Sequence, residues 1–280
     1  MVLVLLLPPI ILTLCIVLMV LALIYIFLLM PRLRDKGDMD MLLVNYAHRG
    51  LWNAKVPENS LAAFALAAQA GFGIELDIQL SRDKQIMVFH DRDLKRMCGV
   101  DKKLSDLTCR ELKALSLNNT DQTIPTLAEV LYLIDGKVPL LIELKSNAGD
   151  TEICKRLAAM LDKYQGVFCI ESFDPILVAW FKKYRQRYAR GQLVTKMKKY
   201  DSAKETVVSF LLSRLMGNVL SRPDFIAVDG RLQDSLMIRI CHKLFKVPIF
   251  VWTVRTEKDM HKCIDDGYNF IFEKIRPYQE

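Results

Sequence analysis

A closed parallel (β/α) barrel, preceded by one N-terminal transmembrane helix, is the fold class this sequence predicts. Three observations point to it. Residues 10–30 form an uncharged, almost wholly apolar run. From residue 42 onward, short apolar runs alternate with helical patterns in a βαβα order. Ionisable side chains recur at the same, C-terminal end of several of those runs, where a barrel of this kind places its active site.

Composition narrows the class. With 52% hydrophobic and 25% charged residues in 280, the chain can bury a large core, and disorder is excluded for most of it. The net charge of +7 favours anionic partners, without choosing among phosphorylated substrates, lipid heads and nucleic acid. No nucleic-acid motif accompanies it, so no nucleic acid is expected as a partner. Seven cysteines lie without a Cys-x-x-Cys spacing, which excludes a zinc ribbon and fits a reducing compartment. Nothing in the sequence names an oligomeric state.

Residues 1–31 are expected to be a membrane anchor. Ile10 to Met30 spans about 30 Å as a helix, the thickness of a bilayer core. A cleaved signal peptide is the competing reading, but there is no basic n-region and no small-x-small site after the run. Arg32, Arg34 and Lys36 follow the run directly, and the positive-inside tendency then puts a single-pass protein's catalytic domain in the cytoplasm. Residues 32–41 read as a polar linker and 42–280 as one barrel domain.

Within that domain, Leu42 to Ala47 reads as a buried strand leading into His48-Arg49-Gly50. Pro57-Glu58-Asn59-Ser60 starts a helix with Asn59 or Ser60 as N-cap, and Gly71 ends it. Gly73 to Leu80 alternates strictly, so Glu75 and Asp77 share one face of a strand. After the turn at Asp83-Lys84, Gln85 to His90 returns as an antiparallel strand, which brings His90 opposite Glu75 or Asp77. A polar, helix-containing stretch fills 92–125, and a helix covers Thr126 to Asp135. Further strands are expected at Val138–Leu144, Val167–Ile170, Gln192–Thr195, Phe225–Val228, Pro248–Trp252 and Asn269–Phe272. Helical patterns separate them, including Lys204–Met216 and Gln233–Phe245.

His48 with Arg49, Glu75 with Asp77, Glu143 with Lys145, and Glu171 with Ser172 then gather at one end of the barrel. Such groups would be costly as core. Two histidines beside paired carboxylates suit a divalent metal held against a phosphate ester, with a proton moved beside it.

These motifs resemble the glycerophosphodiester phosphodiesterase family. The shared pieces are His48-Arg49-Gly50, Pro57-Glu58-Asn59-Ser60, Glu75-Leu76-Asp77, His90-Asp91, Glu143-Leu144-Lys145, Ser172-Phe173 and Val251-Trp252-Thr253-Val254, in order over roughly 210 residues. The resemblance implies a TIM (β/α)8-type barrel that hydrolyses glycerophosphodiesters to glycerol 3-phosphate and an alcohol. It implies His48 and His90 as the catalytic pair, and Glu75, Asp77 and Glu143 as ligands of a divalent metal cation, Mg²⁺ or Ca²⁺. It also implies Arg49 and Lys145 as phosphate-holding groups and Trp252 as a pocket wall. A lysophospholipase D acting on lipid-like lysophospholipid substrates is the alternative within the class, and a non-catalytic, membrane-tethered phospholipid-head-binding protein is the alternative outside it.

Plainer readings stand beside several of these. Lys145 could be a salt-bridge partner of Glu143 or Glu75, and Arg49 could tie its strand to a neighbouring carboxylate. Asp91 could orient His90 or cap the next segment, and Glu58 could belong to the site or to a helix start. His242 and His261 read as surface or packing residues. Glu273-Lys274 stands where the family usually has Thr-Asp, and is taken as a change in the outer pocket. The basic runs 182–190 and 196–199, with the apolar segment 207–216, read either as a solvated helix face or as a membrane-facing lip.

Overall fold

The computed structural model describes residues 2–32, 39–145 and 149–277, with side chains from Pro9 onward. Arg34 and Lys36, on which the orientation of the anchor rests, lie outside them. Eight parallel strands close into a barrel: β1 (Tyr46–His48), β2 (Gly73–Leu80), β4 (Leu140–Leu144), β5 (Phe168–Ser172), β6 (Ala189–Val194), β7 (Phe225–Asp229), β8 (Ile249–Val254) and β9 (Asn269–Phe272). The ring closes where β1 pairs with both β9 and β2. The ninth strand, β3 (Ile86–Val88), pairs antiparallel with the outer half of β2, as the short turn requires.

Local chemistry sets the helices that wrap this sheet. Ser60 caps α2 (Leu61–Gln69), accepting from the Ala63 N–H at 3.1 Å. Helices α3 (Lys95–Cys98) and α4 (Cys109–Lys113) belong to the 92–125 stretch, which builds a small core of its own around Phe89, Leu104 and Leu112. Thr126 and Glu129 form a reciprocal capping box on α5 (Leu127–Ile134). Then come α6 (Glu152–Leu161) and α7 (Pro175–Tyr184), the latter capped by Asp174 with Pro175 in its first turn. The β6–β7 connection carries α8 (Ala203–Ser213) and α9 (Asn218–Ser221); α10 (Leu236–Arg239) and α11 (Glu257–Asp265) complete the outer ring.

Period-two alternation divides the strand side chains between two cores. Ile74, Leu76 and Ile78 of β2, with Leu140 and Ile142 of β4, face the helices. Tyr46, Leu141, Cys169, Ala227, Phe250 and Ile271 face inward and fill the lumen. The layer above them, toward the strand C-termini, is polar.

Two expectations need correction. The first strand is only Tyr46–His48, and residues 40–42 form a 3₁₀ turn instead. Tyr46 Oη donates to the Leu42 carbonyl at 2.9 Å, and Met39 and Leu42 plug the lumen floor, so the start of this apolar run is a stopper and only its end is strand. The helix expected over Gln233–Phe245 is broken: α10 is short and passes into a wider π turn at Ile240–Leu244. The basic run 182–190 makes several surface contacts to its own fold. Arg185, Arg187 and Tyr188 all bind Asp162, and Lys182 donates to the Leu220 carbonyl.

Among the described residues one helix, α1 (Val2–Leu29), is long and apolar enough to cross a membrane; Pro9–Leu29 has a mean hydropathy of 3.2 and is exposed as far as Ile24, while Leu29 is buried. Its C-terminal end docks on the barrel. Asn218 Nδ2 donates to the Leu29 carbonyl at 3.1 Å, Arg222 Nη1 to that of Met30 at 2.7 Å, and the Arg32 N–H to that of Pro223 at 2.9 Å.

Candidate active site

The polar layer of the lumen is built strand by strand. At the end of β1 the chain reverses through Arg49 and Gly50, both with positive φ (59° and 82°). A Cβ on Gly50 would lie 2.8 Å from the Ala63 backbone, so the turn needs glycine there. The reversal aims the Arg49 N–H at Glu75 Oε2, 2.9 Å away. Arg49 Nη1 binds Glu58 Oε1 at 2.7 Å, and Nε lies 3.3 Å from Asp77 Oδ2.

Glu75 and Asp77 share the inner face of β2, and β4 brings Glu143 level with Asp77 in register. All three are buried, and one carboxylate oxygen from each lies within 4.8 Å of the others. Lys145 Nζ joins the last two, 2.7 Å from Glu143 Oε1 and 3.1 Å from Asp77 Oδ1. The lysine is therefore an ion-pair partner of Glu143 and Asp77, and Glu75 is not among its partners. Asn59, itself at a positive φ of 55°, donates to Asp77 Oδ2 at 2.8 Å.

The electrostatics separate these acids. Burial and the neighbouring Asp77 and Glu143 charges push the Glu75 carboxyl well above its ordinary range. Burial and Asp77 likewise raise Glu143 to about 7 despite Lys145. Burial also works against Asp77, but Lys145 and Arg49 outweigh it and hold Asp77 low. Three buried oxygen donors, two of them disfavoured as anions until a counter-charge arrives, fit a hard divalent cation.

Each histidine is held from behind. His90 Nδ1 lies 2.7 Å from Asp91 Oδ1, and Asp91 Oδ2 accepts from Arg96 Nε at 2.6 Å. His48 Nδ1 lies 2.8 Å from Glu273 Oε2, and Glu273 Oε1 accepts from Arg255. Neither Nε2 has a hydrogen-bond partner among the described residues. Burial lowers the pKa of both imidazoles, and the carboxylates partly restore it. The β2–β3 register places Phe89, rather than His90, against Asp77, through a Phe89 N–H bond to the Asp77 carbonyl at 2.9 Å. His90 follows one residue later, where the Asp77 charge raises its pKa.

Glu273 overturns its expected place in the outer pocket. It is 8% exposed and bound directly to His48. Sequence reasoning also passed over Asn59, Arg96 and Arg255, and left Glu58 and Asp91 undecided. Glu58 bridges Arg49 and Arg96, so one chain of ion pairs runs from Asp77 through Arg49, Glu58 and Arg96 to Asp91. The Pro57-Glu58-Asn59-Ser60 motif was the signal for Glu58 and Asn59. Trp252 sits in the second half of β8 with its ring edge-on to Phe173, at a centroid distance of 5.7 Å. Phe173, His90, Glu143 and Lys145 line a cavity of about 830 Å³ at the mouth; Trp252, His48 and Arg49 do not line it.

A barrel whose polar mouth couples buried acids, two backed imidazoles and two cationic side chains defines a class of enzyme that works on an anion. Comparison with known proteins agrees. The model of the glycerophosphoryl diester phosphodiesterase family matches residues 48–272. Bacillus subtilis YhdW, named for glycerophosphodiester phosphodiesterase activity, is 30% identical over 77% of this chain and 88% of its own length. The Thermotoga maritima glycerophosphodiester phosphodiesterase structure superposes with a TM-score of 0.64 at 30% identity, covering 82% of this chain and 93% of that one. An Oleispira antarctica phosphodiesterase solved with sn-glycerol-3-phosphate shares the fold, with a TM-score of 0.68 at 24% identity over 82% of this chain and 92% of that one. Human lysophospholipase D GDPD1 is 30% identical over 47% of this chain and 45% of its own length. The chain belongs to the glycerophosphodiester phosphodiesterase family and is an enzyme of that class.

Glu273 provides a test of the histidine support. Burial alone would raise its carboxyl, but His48 and Arg255 hold it at about 2, below the ordinary 4.5. A depressed carboxylate adds stability that is complete above its unfolded pKa and lost as pH falls toward its folded one. Glu273→Gln should therefore cost about 1–3 kcal/mol at pH 7, and the gap to the parent should close between pH 4.5 and 2. Urea unfolding at stepped pH measures it, and a gap independent of pH would contradict the contact.

Proposed function

We propose that the enzyme hydrolyses glycerophosphodiesters to glycerol 3-phosphate and an alcohol. His48 and His90 transfer the protons, and Glu75, Asp77 and Glu143 hold a divalent cation. The observation that carries this reading is the matched backing of the two imidazoles, each bound to a carboxylate through Nδ1 with Nε2 unpaired. A neutral imidazole that donates its Nδ1 proton to a carboxylate keeps a lone pair on Nε2, and the carboxylate stabilises the imidazolium formed when Nε2 takes a proton.

One histidine removes the proton of the attacking hydroxyl, and the other protonates the departing alcohol oxygen as its bond to phosphorus breaks. The attacker is water or the substrate's own glycerol hydroxyl; the second route passes through a cyclic phosphate. Arg49 offers forked donors to the phosphate and Lys145 a point charge. Both already stand beside Asp77, so the acids that would ligate the cation also place the groups that would hold the anion. When bound, a divalent cation polarises a phosphoryl oxygen and offsets the developing charge.

A lysophospholipase D activity is the second reading, and a particular surface favours it. A further cavity, of about 720 Å³, shares Phe173 and Arg92 with the first and is lined by Leu193, Val194, Val208, Leu212 and several lysines. Beside it, α8 exposes Val207, Val208, Phe210 and Leu211. The docked end of α1 lies close by, with Tyr25 Oη donating to the Arg214 carbonyl just past α8. That docking supports a retained single-pass anchor with α8 against the bilayer surface; the cytoplasmic side is proposed on the basic residues that follow the apolar run alone.

Release of glycerol 3-phosphate from glycerophosphocholine and glycerophosphoglycerol by the full chain in detergent tests the first reading. Release should require Mg²⁺ or Ca²⁺, stop with EDTA, and fall about 10²–10⁴-fold in His90→Ala. Undiminished substrate binding without turnover would favour the non-catalytic alternative. For the second reading, Phe210→Ser with Leu211→Ser should impair cleavage of lysophospholipid and spare the water-soluble diesters. Equal loss on both would exclude a lipid-facing role for α8.

A further inference from the structure

Glu171 is a buried carboxylate at the mouth to which the proposed reaction gives no part. It lies near the C-terminal end of β5, one residue before Ser172, whose hydroxyl turns away to the Leu144 carbonyl. Strand alternation points it inward, directly above Cys169 of the lumen core, while Ile170 faces the helices. Glu171 is 1% exposed, and its Oε2 has no hydrogen-bond partner.

Each of the other buried acids of this layer has a protein donor or counter-ion; Asp77 Oδ1 too accepts no hydrogen bond, but it lies 3.1 Å from Lys145 Nζ. Glu75 accepts from the Arg49 N–H, and Asp77 from Asn59. Glu143 binds Lys145, and Glu273 binds His48. Among the described residues Glu171 has no such donor to either side. Its register partner on β4 is Glu143, a like charge, and its partner on β6 is Gly191, which has no side chain. Lys145 is already shared between Glu143 and Asp77. Among the described residues, only the Lys145 charge, already engaged by Glu143 and Asp77, works against the desolvation cost of this buried carboxyl set between another carboxyl and a glycine.

A hydrated cation offsets it. Three carboxylates do not fill the coordination of Ca²⁺ or Mg²⁺, and the remaining positions hold water, a strong donor when metal-bound. The carboxylate oxygens that lie within 4.8 Å of one another come from Glu75, Asp77 and Glu143 and not from Glu171. We propose that Glu171 is a fourth acidic group of the cation site, acting on the ion through one of its coordinated waters. This rests on the reading of the other three as that site, and it makes Glu171 a positioning residue that sets cation affinity.

Terbium(III), a luminescent substitute for Ca²⁺, tests this on the full chain in detergent, with Ca²⁺ as competitor. The parent should bind both ions. Glu171→Gln should weaken Ca²⁺ by about 10–100-fold, while terbium lifetimes in H₂O and D₂O report an unchanged number of bound waters. Unchanged affinity would remove Glu171 from the site, and one added water on terbium would make it a direct ligand; either overturns the proposal. If the parent binds neither ion, the three-carboxylate reading itself fails. Glu171→Met gives an independent check. Without the uncompensated acid, the metal-free protein should melt higher than the parent, and Ca²⁺ should raise its melting temperature less. A lower metal-free melting temperature would mean that the protein itself satisfies Glu171, which overturns the proposal.

Discussion

Four carboxylates are folded into the upper lumen of this barrel, and the cationic side chains set among them are Arg49 and Lys145. Glu75, Asp77, Glu143 and Glu171 are each at most 8% exposed. Both cations concentrate on Asp77, which is held low, while burial and mutual repulsion push Glu75 and Glu143 upward. A protein selected only for stability would replace such a layer with packed apolar groups, because buried acids without counter-charge are costly. The uneven compensation leaves an acidic pocket short of counter-charge at one end of an otherwise apolar lumen. The rest of the site is arranged around its rim.

The rim has two matched supports. Arg96 backs Asp91, which backs His90; Arg255 backs Glu273, which backs His48. The first is nearly local, within residues 90–96. The second joins the first strand region to the last, across 225 residues, and forms only when β9 closes against β1. One histidine is therefore supported by local sequence and the other by closure of the barrel. Fold integrity and the geometry of His48 are the same event.

Much of this was legible in the sequence. Alternation in Gly73–Leu80 placed Glu75 and Asp77 on one face, because a strand has period two whatever surrounds it. The short Asp83-Lys84 connection dictated the antiparallel return that brings His90 near. The hairpin's register was beyond it, and the observed pairing sets Phe89, not His90, against Asp77. Glu273 was misplaced for a related reason. Its partner is distant in sequence, and a Glu-Lys pair at a strand end looks like an exposed variation until the barrel is closed. Arg96 and Arg255 sit among many basic residues with nothing local to single them out. The start of the apolar run 42–47 read as strand, like its end, because a lumen plug and a buried strand have the same composition.

The central claim is that the acidic layer is completed by a divalent cation. Equilibrium unfolding of the full chain in detergent, at a series of free Ca²⁺ and Mg²⁺ concentrations against EDTA, measures this without reference to substrate. A cation bound by the folded state alone adds about 2.7 kcal/mol of stability at a hundred times its dissociation constant, so stability should climb steadily with the logarithm of cation concentration and fall back with EDTA. Stability that is the same in EDTA and in either cation would contradict the account.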